Sequence, residues 1–125
     1  MDSAPIIYLM EEAAIFVERF RPLLDAQMAG RVQFAVSAIT LAEVMTGPLR
    51  KRQEAVANRH RAILESWRVV PVDAEIAAGA ARVRAAHGLR LADAVQVATV
   101  TALNAYALVT PDSDFSRVPG LRVLG

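Results

Sequence analysis

Residues Val32 to Ser37, with the sequence VQFAVS, form a short and largely apolar block that is typical of a buried β-strand. A second block of this kind, AYALVT, covers Ala105 to Thr110. Neither block alternates strictly between apolar and polar residues, which is the pattern of strands that are covered on both faces. Alanine-rich helical stretches lie between them, at Ala74 to Ala86 and at Leu91 to Ala105. Strands that alternate with helices predict an α/β fold with a mainly parallel sheet of four to five strands, flanked by helices.

The rest of the chain supplies the remaining elements of this fold. Arg68 to Val72 predicts an edge strand, because Pro71 cannot donate a backbone hydrogen bond. The stretch PIIYLM from Pro5 to Met10 is ambiguous between strand and helix. Three more helices are predicted: Glu11–Ala29, in which a second piece starts at Pro22; a helix from Thr40 that breaks at Gly47-Pro48; and Leu49–Trp67. A loop is predicted at Pro111–Ser116 and a last strand at Leu121–Leu124.

The composition narrows the possible chemistry. The chain has 125 residues and a formal net charge of +1, which predicts one domain over residues 1–125. It has no cysteine, which excludes disulfide scaffolds, thiolate zinc sites and cysteine nucleophiles. His60 and His87 are too few for a histidine-built metal site, so any metal must be held mainly by oxygen, as Mg²⁺ or Mn²⁺ is.

The sequence also bears on where the protein acts. No apolar run reaches the ~18 residues that a membrane-spanning helix needs. The residues from Met1 to Pro5 lack the basic segment that begins a signal peptide. We therefore expect a cytoplasmic protein without a membrane association.

Four acids, Asp2, Glu43, Asp93 and Asp112, fall near the predicted strand ends and the helices beside them. In open parallel sheets, ligands bind beyond the carboxyl ends of the strands. Carboxylates about 4 Å apart repel each other by roughly 4 kcal/mol per pair at an effective dielectric constant of 20. A cluster of them therefore takes up protons or binds a cation. Mg²⁺ held in this way can activate a water for attack on a phosphodiester.

Each acid also has a purely structural explanation. Glu43 fits the end of a T-x-x-E capping box, and Asp93 is favoured near a helix start by the helix dipole. Asp112 and Asp114 can form turns with their own backbone. Asp2, close to a chain terminus, needs no role beyond solvation. The acids therefore predict a metal site only if they converge.

The order of the motifs resembles that of the PIN domain, and most of all that of the VapC-type ribonuclease toxins of type II toxin–antitoxin pairs. The resemblance covers nearly the whole chain. No single motif is diagnostic, but four of them in the right order at fitting spacing are fairly specific. The matching pieces are DS at 2–3, SAITLAEV at 37–44, LADA at 91–94 and LVTPDSDF at 108–115.

The resemblance implies a metal-dependent endoribonuclease with Mg²⁺ or Mn²⁺ as its cofactor. It also implies a homodimer whose acidic groove is plugged by an antitoxin protein. The matching positions are Asp2, Glu43 and Asp93 for the core acids, Asp112 for the fourth acid, Ser3 and Thr110 for hydroxyl groups that support the first and fourth acids, and Asp114 for a helper or a turn residue.

The N-terminus departs from the family pattern. The family normally has a hydrophobic strand before its first acid, whereas only Met1 precedes Asp2 in this sequence. The departure implies that the central strand is missing or severely shortened. It supports an alternative function, that of a non-catalytic PIN-like module that only binds a partner protein.

The basic residues leave two interpretations open. Arg90, three residues before Asp93, either binds a substrate phosphate or is a surface arginine without a role. The basic stretch from Arg50 to Arg61 is either a solvated helix face or a surface for RNA or an antitoxin. A phospho-acceptor receiver domain is disfavoured, because it needs a lysine at a late strand end and the only lysine is Lys51. The sequence also lacks the glycine motifs of dinucleotide and nucleotide cradles.

Overall fold

The structure is a computed structural model that describes residues 5–8, 21–109 and 113–124. Within these ranges, five strands form one sheet in which every pairing is parallel. They are β1 (Pro5–Tyr8), β2 (Gln33–Ser37), β3 (Arg68–Val70), β4 (Ala107–Val109) and β5 (Val123–Leu124). The strand order is β3-β2-β1-β4-β5. This architecture confirms the predicted α/β fold.

Helices connect the strands. In the described ranges they are α1 (Arg21–Met28), α2 (Ala38–Arg50), α3 (Glu54–Glu65), α4 (Ala74–His87) and α5 (Leu91–Leu103), followed by a 3₁₀ helix at Ser113–Arg117. None of the helices in this part of the chain is long and apolar enough to cross a membrane.

The central strand of the sheet is β1. Its Ile6 lies opposite Phe34 of β2 on one side and Ala107 of β4 on the other. The central strand is therefore present with four residues, between the five of β2 and the three of β4, so the expectation that it is missing or severely shortened is wrong. The apolar sequence PIIY fits a strand with a neighbour on each side. This strand follows Asp2 in the sequence instead of preceding it.

The two faces of the sheet bury separate apolar clusters, because neighbouring residues of a strand point to opposite faces. Ala35 belongs to the cluster that α4 and α5 form, together with Ala98. Phe34 belongs to the other cluster, to which α2 and α3 contribute apolar side chains. The Phe34 ring packs edge-to-face against the Trp67 ring, with 5.1 Å between the ring centroids. Helices on both faces explain why the strand sequences are continuously apolar.

Helix α2 has different ends from those predicted. Its N-cap is Ser37, whose hydroxyl accepts a hydrogen bond from the Ile39 N–H at 3.2 Å. Thr40 lies inside the helix, so the capping box that pairs it with Glu43 is wrong. The predicted break at Gly47-Pro48 is also wrong. The missing N–H of Pro48 leaves only one carbonyl of the preceding turn unbonded, while its own carbonyl still accepts from the Lys51 N–H at 3.1 Å.

The turn between α2 and α3 accounts for a further correction. Helix α3 begins at Glu54 and not at Leu49, because the chain reverses at Arg52, which adopts a positive φ of 57°. The predicted loop at Pro111–Ser116 is partly wrong, since Ser113 to Arg117 form a 3₁₀ helix that buries Phe115.

The remaining predicted elements are confirmed in part. The predicted helix over Glu11–Ala29 and the stretch from Pro5 to Met10 include residues 9–20, which lie outside the described residues, and the described parts form α1 and β1. The predicted strand Leu121–Leu124 is shortened to Val123–Leu124.

Helix α4 begins after Asp73, whose carboxylate accepts a hydrogen bond from the Ile76 N–H at 2.9 Å, and it ends at Gly88 with φ of 67°. Strand β3 lies at the edge of the sheet, as Pro71 predicts, but it ends at Val70 and not at Val72, because Pro71 cannot donate a hydrogen bond to continue the pairing.

Candidate active site

The carboxyl ends of the parallel strands define one edge of the sheet. Helix α2 starts directly after the last residue of β2, so it leaves from this edge. Helix α5 joins β4 through a connection of only residues 104–106, so it runs antiparallel to β4 and begins near the same edge. The first turns of α2 and α5 therefore approach each other there. The strand order also reverses beside β1, which is where open α/β sheets bind their ligands.

A buried hydrogen bond joins the two helices at this edge. The side-chain Nε2 of Gln96 in α5 donates to the Oγ1 of Thr40 in α2. Both residues are completely buried. The bond therefore fixes the third residue of α2 against the sixth residue of α5.

Glu43 and Asp93 lie near this contact, Glu43 on α2 and Asp93 on α5. Glu43 follows Thr40 by three residues, and Asp93 precedes Gln96 by three residues. Helical residues that are three apart share one face. Glu43 is exposed, whereas Asp93 is buried. The structure thus places these two predicted acids beside the same inter-helix contact.

The surroundings of Asp93 favour a negative charge. Asp93 lies in the first turn of α5, where the helix dipole stabilises anions. Its Oδ2 is 3.4 Å from the Nε of Arg90, which is the N-cap residue of the same helix. The Arg90 side chain is 78% exposed and that of Asp93 only 10% exposed. The contact therefore joins an exposed guanidinium to a nearly buried carboxylate, and water can replace the guanidinium in this contact.

Several predicted site residues lie outside the described residues: Asp2, Ser3, Thr110 and Asp112. Asp114 lies in the 3₁₀ helix by its backbone, and its side chain is outside the description. Within residues 21–109 and 113–124, no three potential metal ligands (His, Asp or Glu) lie close enough together to hold one metal ion. The two described acids offer only carboxylate oxygens, which is the donor type that Mg²⁺ and Mn²⁺ prefer. The donor set therefore fits the expected cation.

Sequence analysis missed Gln96. The signal for it was present, because Gln96 is a polar residue within an apolar helix and lies one turn after Asp93. Its Oε1 is buried and has no hydrogen-bond partner among the described residues. Gln96 thus carries a polar group into the core beside the candidate site.

The basic stretch forms the turn between α2 and α3 and the outer side of α3. Arg50, Lys51 and Arg52 are exposed at this turn. Further along, Arg61 pairs with Glu65 at 3.1 Å within α3. Exposed pairs of this kind contribute little stability, so this surface is available to solvent or to a polyanion.

The comparisons with known proteins agree with the fold. The family model described as the PIN domain matches residues 1–121. A toxin-antitoxin complex from Klebsiella pneumoniae is 28% identical, with 98% of this chain and 97% of that chain covered and a TM-score of 0.68. The comparison with curated proteins gives no match.

Two further solved structures are similar in fold. VapBC2 from Rickettsia felis, bound to a DNA fragment from its promoter, is 21% identical, covers 94% of this chain and 96% of its own, and has a TM-score of 0.75. VapBC-1 from nontypeable Haemophilus influenzae is 21% identical with the same coverage and a TM-score of 0.69. At this level of identity, the likeness shows the fold alone.

Proposed function

Because the chain belongs to the PIN domain family, we propose that it is a Mg²⁺- or Mn²⁺-dependent endoribonuclease and the toxin of a toxin–antitoxin pair. Its reaction is the hydrolysis of RNA phosphodiester bonds. The observation that carries the proposal is the placement of Glu43 and Asp93 beside one buried contact at the carboxyl edge of the sheet. The match to the family model and the position of these two acids near the carboxyl edge, where such sheets bind ligands, support the proposal together.

The proposed ligands are the four acids that the sequence motifs single out. Glu43 and Asp93 supply the described part of the proposed site. Asp112, which follows β4, and Asp2, which precedes β1, are proposed as ligands by their motifs alone. The proposed supporting groups are Ser3, Thr110 and Asp114.

In this mechanism, the chain's own residues bind the metal ion and orient the RNA. A bound Mg²⁺ or Mn²⁺ supplies the activation of water and the stabilisation of charge on the phosphate. Asp93 holds its carboxylate in a fixed direction because it is nearly buried in a helical turn. Glu43 presents its carboxylate on the solvent side, from which RNA enters. Arg90 is the proposed group that binds a substrate phosphate, in exchange for its contact with Asp93.

Cleavage of RNA by the purified protein tests the proposal. We expect cleavage with Mg²⁺ or Mn²⁺, none with EDTA, and at least a hundredfold loss in Asp93→Asn, because the amide cannot replace an anionic ligand. Asp73→Asn is the matched control, since this exposed acid only caps α4 and asparagine caps equally well. Wild-type activity in a folded Asp93→Asn protein contradicts the proposal.

The proposed partners are an antitoxin protein and a second copy of this chain. The similarity to the Klebsiella pneumoniae toxin-antitoxin complex supports the antitoxin. Co-expression with an antitoxin from a neighbouring reading frame of the gene's own operon is the test, and a stable complex that does not cleave RNA is the expected result. Light scattering of the purified chain measures the proposed homodimer directly, and a monomeric mass contradicts it.

The alternative of a non-catalytic binding module rested on a missing central strand. Strand β1 fills that position, so this argument no longer favours the alternative. Thermal unfolding with and without Mn²⁺ separates the two functions. A metal-binding nuclease is stabilised by the ion, whereas a module without a metal site is not.

A further inference from the structure

We infer that Gln96 and Thr40 are positioning residues that hold Asp93 and Glu43 in register for metal binding, an inference that rests on the nuclease function proposed above. The hydrogen bond between them joins α5 to α2 across a sequence separation of 56 residues. Neither residue is proposed to touch the metal or the RNA.

Core packing alone does not explain a glutamine at position 96. The residues that surround it along α5, Val95, Val97 and Val100, are buried and apolar. Burying an amide is costly unless its polar atoms are hydrogen-bonded, and an unsatisfied buried acceptor costs about 1–3 kcal/mol. The Gln96 amide makes one inter-helix bond, and its other end is buried without a partner among the described residues. An apolar side chain of similar volume would fill the position without this cost.

The geometry shows what the bond can control. A helix with its side chains is about 10–12 Å across, so a carboxylate lies roughly 5–6 Å from the helix axis. Rotating α5 by about 20° therefore moves the Asp93 carboxylate by about 2 Å. Metal–ligand distances tolerate only about 0.2 Å, so this rotation separates Asp93 from an ion that Glu43 still holds. The bond lies about one helical turn from each acid, so it opposes this rotation close to both of them.

Substitution of Thr40 isolates this role. Thr40→Val removes the acceptor at nearly constant volume, whereas Thr40→Ser keeps the hydroxyl. Loss of a group that orients metal ligands typically costs about 10- to 100-fold in metal affinity. We expect Thr40→Val to weaken Mn²⁺ binding at least tenfold and to lower kcat, and Thr40→Ser to stay within about twofold of the wild type in Mn²⁺ affinity. Calorimetric titration of the whole protein with Mn²⁺, without RNA, measures this affinity.

Thr99→Val is the matched control. Thr99 is also completely buried, but its Oγ1 donates to the Val95 carbonyl within α5 at 2.7 Å and does not reach α2. The substitution removes the same hydroxyl from a similar environment, so it lowers stability without releasing α5 from α2. We expect its Mn²⁺ affinity to equal that of the wild type.

Gln96→Met keeps the inference testable if Thr40→Val does not fold. Methionine conserves most of the volume and removes the donor. We expect Gln96→Met to weaken Mn²⁺ binding as much as Thr40→Val does. The double variant is expected to be no weaker than either single one, because both remove the same bond.

The outcomes distinguish this inference from the function on which it rests. If the wild-type protein neither binds Mn²⁺ nor cleaves RNA, both the nuclease function and the positioning role are contradicted. A wild-type protein that does both, with Thr40→Val and Gln96→Met at wild-type affinity, overturns only the positioning role. Equal weakening of Mn²⁺ binding in Thr40→Val and Thr99→Val also overturns the positioning role, because the lower affinity is then explained by the loss of stability alone.

Discussion

At the residue scale, the Arg90–Asp93 pair sets an exposed cation against a nearly buried acid. A divalent ion that approaches Asp93 meets the positive charge of Arg90. Charges of +1 and +2 about 6 Å apart repel by roughly 1.4 kcal/mol in water, and salt reduces this value. In the proposed function, Arg90 therefore opposes the binding of the metal ion while it offers a positive charge to a substrate phosphate.

Arg90→Gln is expected to tighten Mn²⁺ binding by about two- to tenfold at low salt, because it removes this repulsion. The same change is expected to raise KM for RNA, since a phosphate contact is lost. Calorimetry and steady-state cleavage measure the two effects. Arg31→Gln serves as the control, because this exposed arginine lies just before β2, at the opposite edge of the sheet. An unchanged Mn²⁺ affinity in Arg90→Gln would show that the guanidinium does not act on the ion.

The acids themselves were visible in the sequence, but their partners were not. Glu43 and Asp93 stand at positions that motif spacing and strand ends single out. The Thr40–Gln96 bond joins residues 56 positions apart, and nothing in the local pattern of either helix indicates that they meet. Their contact forms where the first turns of α2 and α5 meet at the carboxyl edge of the sheet, and only the folded chain brings these turns together.

At the element scale, the close approach of α4 and α5 depends on Gly79. An ideal Cβ at Gly79 lies 3.4 Å from the Cβ of Ala98. We expect Gly79→Leu to destabilise the fold by about 1–3 kcal/mol because the larger side chain forces the helices apart. Gly47→Leu is the control, since Gly47 in α2 has nothing within 4 Å and leucine improves helix propensity. Chemical denaturation compares the two, and equal midpoints contradict the prediction.

The cap of α4 gives a second prediction at this scale. Asp73→Ala removes the carboxylate that accepts from the Ile76 N–H, which costs about 1 kcal/mol. We expect Tm to fall by about 4 °C. Asp73→Asn retains a capping oxygen and is expected to keep the wild-type Tm. Cleavage of RNA should be unaffected in both, because α4 contributes no predicted ligand.

Element boundaries were harder to predict than element types. Apolar blocks identified the strands because a sheet covered on both faces requires them. The Gly47-Pro48 pair was misleading, because a proline near a helix end removes one bond while the following turn still forms. The T-x-x-E pattern was also misleading, because Ser37, three residues earlier, caps α2.

At the scale of the whole molecule, Phe115 ties the 3₁₀ helix to the core. Its side chain is completely buried in the cluster that α4 and α5 form. We expect Phe115→Ala to cost about 3–5 kcal/mol, a large part of the 5–15 kcal/mol that stabilises a typical domain. Tyr106→Ala is the control, because Tyr106 is exposed and mainly stacks with Arg122 at 4.1 Å. Urea titration measures both, and similar midpoints contradict the prediction.

The central position of β1 also governs how the protein is made. Ile6 of β1 pairs with Ala107 of β4, and closing a chain segment of roughly one hundred residues costs about 4 kcal/mol. A nascent chain on the ribosome keeps one side of β1 without its neighbour until β4 has left the exit tunnel. The sheet therefore cannot be completed before β4 has emerged, and until then the ribosome carries a chain whose central strand is paired on one side at most.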